Sequence, residues 1–259
     1  MDVDEAATRW MHVAVEHDGV EDRVAVEEPL EIRVGGEALA VTMRTPGHDE
    51  ELALGFLHGE GLIDGAAGEP VAAGPSADLA HNVVEVDARL RRDPGRRRFY
   101  TTSSCGVCGK GALDEVAVDA PPLQQGPRVA RALLAALPDR LRQPGFAATG
   151  GLHATGLFDA AGTLLVVRED VGRHNAMDKV VGRALIDGLL PLADRLLCVS
   201  GRLSFELVQK AAVAGCPVLV GVGAPTSLAV QLAADRGLTL CGFARAGHVN
   251  VYAGSERVA

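Results

Sequence analysis

The chain has 259 residues, a formal net charge of −9 and a hydrophobic fraction of 47%. That hydrophobic share supports a packed core and excludes a disordered chain, while the acidic balance excludes nonspecific nucleic-acid binding across the whole surface. No apolar run approaches the ~20 residues that span a bilayer. The start, M-D-V-D-E, lacks the basic and apolar regions of a secretion signal, so a cytoplasmic protein without a membrane or nucleic-acid partner is expected. Five cysteines, an odd number without framework spacing, point to free thiols rather than a disulfide scaffold.

In chain order, Leu30 to Val34 and Glu37 to Met43 read as strands joined at Gly35-Gly36, a link that supplies the positive φ of a hairpin turn. Leu52, Leu54, Phe56 and Leu57 give a helical pattern over Glu50 to His58, with Asp49 as N-cap and Gly59 or Gly61 as stop. Asn82 to Ala88 alternates like a strand. Arg89, Arg91, Arg92, Arg96, Arg97 and Arg98 then form either a solvated loop or a steering surface for an anionic partner. After the cysteine stretch T-T-S-S-C-G-V-C-G-K, Gly111 to Val118 suits a short helix, and Pro121-Pro122 through Pro127 suits a linker. Beyond it come a helix near Arg128 to Leu137, strands at Gly151 to Phe158 and Thr163 to Arg168, and a helix from Asn175 to Asp187. Strand and helix then alternate: Arg195 to Val199, Ser204 to Ala214, Pro217 to Val222, Thr226 to Asp235, Leu238 to Phe243. Such alternation predicts an α/β layer with parallel neighbours.

This order resembles the cytidine deaminase-like three-layer fold. The expectation is an α/β protein: an N-terminal, mostly β subdomain over residues 1–120, ending in the CxxC loop (about 99–111), and a C-terminal α/β/α domain over 126–259. A zinc deaminase needs His-x-Glu at one helix start and Pro-Cys-x-x-Cys at the next. Here those places read V-G-R-H-N-A and S-G-R-L-S-F-E; His174 occupies the first, no cysteine the second, and the deaminase zinc site is excluded.

Cys105 and Cys108 are open to three chemistries. A structural zinc site wants four ligands, and Cys198, Cys216 and Cys241 are single residues in or beside apolar strands, where they read as core. Disulfide exchange and sulfur carriage both need an accessible thiolate; Ser103, Ser104, Gly106 and Gly109 loosen the backbone, and Lys110 favours the anion. The residues alone leave these two open.

Three predicted helix starts carry anion-binding character. They are Arg173, His174, Asn175, Asp178 and Lys179; Ser200, Gly201, Arg202 and Ser204; and Gly221, Gly223, Thr226 and Ser227. In a parallel α/β sheet such turns share the carboxyl edge where ligands bind, and free N–H groups there favour phosphate. Ser204, Asn175 and Thr226 suit plain helix capping equally well. His153 is a further candidate, with structural use as its alternative, and the closing segment offers Arg245, His248, Asn250 and Tyr252.

Six stretches together resemble one family, the FdhD formate dehydrogenase accessory sulfurtransferases: P-G-H-D-E-E-L-A-L-G-F-L-H-G-E-G-L-I, S-S-C-G-V-C-G-K, T-G-G-L-H-A, E-D-V-G-R-H-N-A-M-D-K, S-G-R-L-S-F-E and G-F-A-R-A-G-H-V-N-V-Y. The resemblance implies a homodimeric sulfurtransferase. It would take persulfide sulfur from a cysteine desulfurase and pass it to bis-molybdopterin guanine dinucleotide before that cofactor enters the formate dehydrogenase catalytic subunit. Cys105 would carry the persulfide and Cys108 would assist or resolve. Phe243, Ala244, Arg245, Ala246, Gly247 and His248 match the segment associated with the cofactor, for which GDP would serve as a mimic. Ser200, Gly201, Arg202, Arg173, His174, Asn175 and His153 complete the expected cofactor site, and no structural metal is expected. A cofactor-binding chaperone and a thiol–disulfide oxidoreductase are the rival expectations.

Overall fold

The structure, a computed structural model of the chain, describes residues 10–64, 72–75, 82–91, 99–101, 123 and 126–259. Cys105 and Cys108, the helix expected at Gly111 to Val118 and most of the proline linker lie outside the described residues.

Strands β1 (His12–His17) and β2 (Val20–Ala25) pair as a separate antiparallel hairpin. The sequence reading missed it because both strands are almost wholly exposed and carry no buried stripe. The next hairpin is the expected one: β3 (Glu28–Val34) and β4 (Glu37–Arg44) turn at Gly35 and Gly36, with φ of 61° and 79°. With β5 (Ala72–Pro75), β6 (Val83–Asp87) and β7 (Phe99–Thr101) they form a five-stranded sheet in the order β5-β6-β3-β4-β7. Helix α1 (Asp49–Gly59) covers it, packing Leu52, Leu54, Phe56 and Leu57 against Leu30, Ile32, Val84 and Val86. Its N-cap is His48 rather than Asp49, whose carboxylate instead takes two 2.9 Å bonds from buried Arg44.

The second sheet has six strands in the order β13-β12-β11-β10-β8-β9: β8 (His153–Asp159), β9 (Leu164–Asp170), β10 (Arg195–Val199), β11 (Val218–Gly221), β12 (Thr239–Arg245) and β13 (His248–Ala253). Only β10, β11 and β12 are parallel neighbours; β8 and β13 flank them antiparallel. The helices are α2 (Arg131–Ala136), α3 (Pro144–Thr149), α4 (Arg173–Ile186), α5 (Phe205–Val213) and α6 (Ser227–Arg236). Helix α2 starts later than expected because Val129 forms a bridge with Val258. Helix α4 starts earlier, with Gly172 as N-cap, so Asn175 is not its cap.

Alternation along the strands builds both faces. Leu197, Val199, Leu219 and Leu240 pack under α4, α5 and α6, while Leu196, Cys198, Val218, Val220 and Cys241 meet Leu134, Leu137 and Leu141 on the other side. Each such leucine contributes ~1.5–3 kcal/mol by leaving water. The result is the expected mixed α/β class, with a strand-rich N-terminal part and helices on both faces of the second sheet. The three single cysteines are buried free thiols. Burial pushes Cys216 and Cys241 up to about 12 and Cys198 up as well, so none is reactive.

The two parts meet through α1 and α4. A Cβ on Gly55 would lie 1.9 Å from the Asp178 carbonyl oxygen, and one on Gly182 would lie 1.8 Å from that of Glu51. Only glycine permits this approach. Around the crossing, Arg168 grips Glu51 at 2.6 and 2.8 Å, and Lys179 and Asp170 form a fully buried ion pair at 2.7 Å.

Candidate functional site along the carboxyl edge of the second sheet

Strands β9, β10, β11 and β12 all end at one edge of the second sheet, where β8 and β13 begin. Backbone bonds stitch the turns there into one surface. Ser200 N donates to the Ala154 carbonyl at 2.9 Å, Gly223 N to that of Gly201 at 3.0 Å, and Phe243 N to that of Gly223 at 3.2 Å. The expected residues from three separate motifs are therefore neighbours.

At the β8–β10 end, Gly201 lies against the His153 ring and the Arg173 side chain: a Cβ there would be 3.4 Å from His153 Nδ1 and 3.7 Å from Arg173 Cδ. Burial comes first in holding His153 below its ordinary pKa, followed by the positive charges of Arg173 and His174, with Arg202 adding to them and Asp170 opposing. His153 is thus kept neutral inside a cationic cluster. Arg173 Nε is buried and meets no acceptor, whereas Arg202 is exposed. A buried guanidinium nitrogen without a partner is costly unless an anion completes it.

His174 sits in the first turn of α4, and its Nε2 meets both Ser204 Oγ at 3.0 Å and Glu206 Oε2 at 2.8 Å. The bond to His174 holds Glu206 below the usual carboxylate range. Because hydroxyl and carboxylate share one ring nitrogen, this is not the arrangement that activates a serine nucleophile, which needs the two on opposite nitrogens. Glu206 received no role from the sequence, although S-G-R-L-S-F-E contains it; the signal was present and its partner was not. Ser204 is the N-cap residue of α5 but makes no side-chain cap bond, while Thr226 does cap α6, accepting from Ala229 N at 3.3 Å.

Ser200 and Asn175 are used within the protein. Ser200 Oγ accepts from Ala154 N at 2.9 Å, and the Asn175 amide turns inward to Met43 and Asp170. Asp178 and Lys179 also turn inward, to Lys210 and Asp170.

At the β12–β13 end, Phe243, Arg245, Ala246, His248 and Asn250 line an open depression of about 440 Å³. Phe243 has φ of 52°, a conformation that a bulky side chain adopts only under constraint. The constraint is visible on both sides: Phe243 N is tied to Gly223, and Ala244 is fully buried in the core. Ala244 therefore does not line the depression. Ala246 and Gly247 form the hairpin turn, with φ of 49° and 74°. Tyr252 is on β13, with its ring edge 3.1 Å from where a Gly242 Cβ would be.

A cationic cluster and an aromatic-lined depression on one edge suit a ligand that carries both phosphate and a planar ring. Among the described residues, no group of three His, Cys, Asp or Glu side chains is placed to hold a metal ion, and no helix is long and apolar enough to cross a membrane. Of the arginine run, Arg91 pairs with Asp64 at 3.5 Å, and Arg92, Arg96, Arg97 and Arg98 lie outside the described residues.

Known proteins match the chain along nearly its whole length. Sulfur carrier protein FdhD of Streptomyces avermitilis is 53% identical over 259 residues, covering 92% of this chain and 89% of the relative. The proteins of the same name from Nocardia farcinica and Anaeromyxobacter dehalogenans are 53% and 50% identical, over 92% of this chain and 88% and 89% of their own. A crystal structure described as a formate dehydrogenase accessory protein, from Desulfotalea psychrophila, superposes with a TM-score of 0.72 at 27% identity, covering 96% of this chain and 97% of that one. The model of the FdhD/NarQ family matches residues 25–259, and the chain belongs to that family.

Proposed function

We propose that this protein is a sulfur carrier in formate dehydrogenase maturation. It accepts sulfur from a cysteine desulfurase as a persulfide on Cys105 and delivers it to bis-molybdopterin guanine dinucleotide, its substrate, before that cofactor enters the catalytic subunit. The observation that carries the reading is the stitched edge. Arg173, with an unpartnered buried Nε, stands beside His153 and Arg202 at one end, and the Phe243–Asn250 depression opens at the other. Pyrophosphate fits the first and a guanine ring the second, in line with relatives that are named sulfur carriers. The same reading makes the cytoplasm the compartment and a homodimer the acting form.

Loading begins when the Cys105 thiolate attacks the terminal sulfur of the donor persulfide. The donor S–S bond breaks, the desulfurase leaves as a thiolate, and Cys105 holds the sulfur. For delivery, the Cys108 thiolate attacks the inner sulfur of Cys105 and expels hydrosulfide. The two cysteines become a disulfide, so the pair supplies the two electrons that turn sulfane sulfur into sulfide. A dithiol reductant then resets the pair.

Intact-mass spectrometry after incubation with a cysteine desulfurase and cysteine tests the carrier. Cys108→Ala, which cannot expel the sulfur, gains one sulfur, ~32 Da, and Cys105→Ala gains none. A gain that survives Cys105→Ala, or no gain in Cys108→Ala, refutes it.

A further inference from the structure

Glu206 sets a negative charge against the cationic end of the edge. It stands exposed in the first turn of α5, with Oε2 2.8 Å from His174 Nε2. The His174 bond comes first in holding its carboxyl below the ordinary range, and the charges of Lys210 and Arg173 act in the same direction. A carboxylate beside a phosphate site weakens anion binding by repulsion, so Glu206 works against the ligand unless it serves another group there. The His174 ring is that group.

A neutral imidazole carries its proton on either nitrogen, and the bond made by one nitrogen decides what the other offers. Ser204 Oγ, 3.0 Å from Nε2, is compatible with both forms, because a hydroxyl donates as well as accepts. Ionised Glu206 only accepts, so Nε2 must carry the proton. His174 Nδ1 meets no partner among the described residues and is not buried. It is the open nitrogen of the ring, in the cluster where Arg173 Nε is buried without an acceptor. The charges that face this cluster are Arg173 and Asp178 on α4, His153 on β8, Asp170 on β9, and Arg202 and Lys210 on either side of Glu206 in the chain.

We propose that Glu206 is a positioning residue: it fixes one proton of His174 on Nε2, so that Nδ1 takes a second proton from solvent and donates a hydrogen bond to a ligand phosphate oxygen. The carboxylate offsets the charge that the imidazolium adds among Arg173, Arg202 and Lys210. Affinity for the phosphate ligand is then greatest where His174 is doubly protonated, and it falls as rising pH removes the Nδ1 proton. This inference rests on the reading of the edge as a phosphate site.

The test uses the full chain, with GDP as the probe. Calorimetry between about pH 5 and pH 8, in two buffers of different ionisation enthalpy, gives affinity and proton uptake for wild type, Glu206→Gln and Glu206→Ala. The terminal phosphate of GDP titrates in the same range, so the comparison is between proteins. Imidazole nitrogen NMR, assigned with His174→Gln, reports the tautomer. Glu206→Gln, whose amide oxygen still accepts from Nε2, keeps the tautomer, and Glu206→Ala loses it. Both variants bind GDP about fivefold more weakly at neutral pH, the equivalent of one hydrogen bond, and their proton uptake moves toward acid. Charge removal alone has the opposite sign, since deleting a carboxylate beside a phosphate tightens binding. Unchanged or tighter binding in both variants overturns the proposal, as does a tautomer that survives Glu206→Ala. A Glu206 that acts on stability alone lowers the unfolding temperature and moves neither reading, which also overturns it. Failure of wild type to bind GDP refutes the phosphate reading of the edge and removes the ligand from this proposal, while the tautomer comparison still decides the role of Glu206.

Discussion

Replacing Glu51 by Gln tests the clamp that joins α1 to the second sheet. Glu51 is buried, with Arg168 Nε 2.6 Å from Oε2, Nη2 2.8 Å from Oε1, and His48 Nδ1 3.6 Å away. Burial alone would raise its pKa, but the hydrogen bonds and charges of Arg168 and His48 override burial and hold it at about 2, against an ordinary 4.5. Acidification therefore protonates the unfolded state first. The stabilisation is complete above pH 4.5 and is lost as the pH falls toward 2. Its size is about 3 kcal/mol at pH 7 and about 1 kcal/mol at pH 3. Urea unfolding of wild type and Glu51→Gln between those two pH values reads the difference directly. The stability gap between the two proteins narrows by ~2 kcal/mol on going to pH 3. A gap that stays constant, or widens toward acid, refutes the role given to the Arg168 pair.

Two further substitutions have worked-out signs. Gly182→Ala brings a helix-propensity gain of ~1 kcal/mol, yet its Cβ would meet the Glu51 carbonyl oxygen at 1.8 Å. Forcing α1 and α4 apart costs ~3 kcal/mol or more, so thermal unfolding shifts down by roughly 4–8 °C; an unchanged or higher midpoint contradicts the close crossing. Phe243→Gly relieves a left-handed backbone worth ~1–2 kcal/mol while removing a half-buried ring, so stability stays within about 1 kcal/mol of wild type. GDP binding, read by calorimetry, weakens about tenfold or more with the lost stacking surface; normal binding would remove Phe243 from the site.

What the sequence determined by itself is what depends on local periodicity and on residue type. Strands β10, β11 and β12 were legible because alternate residues serve two buried faces. Helix α1 was legible from Leu52, Leu54, Phe56 and Leu57, and the β3–β4 turn from Gly35-Gly36. Cys198, Cys216 and Cys241 read correctly as core, and the ordered motifs identified the family. The β1–β2 hairpin escaped because exposed strands need no apolar stripe; its turn signal, Asp18-Gly19, with φ of 52° and 76°, was present without one. The carboxyl edge was legible as a set of helix starts, since strand–helix alternation fixes which ends lie together.

Which motif residues face that edge was decided only by the tertiary structure. Asn175 and Lys179 stand in the same helix as Arg173 and His174, and nothing local separates them. Their directions follow from Thr42, Met43 and Thr45, more than 120 residues earlier in the chain. Glu206 gained its meaning from His174, Gly182 from Glu51, and Ala244 from the core beneath it. Periodicity states that a face is buried; it carries no information about what buries it, because a contact between distant segments is a property of the pair.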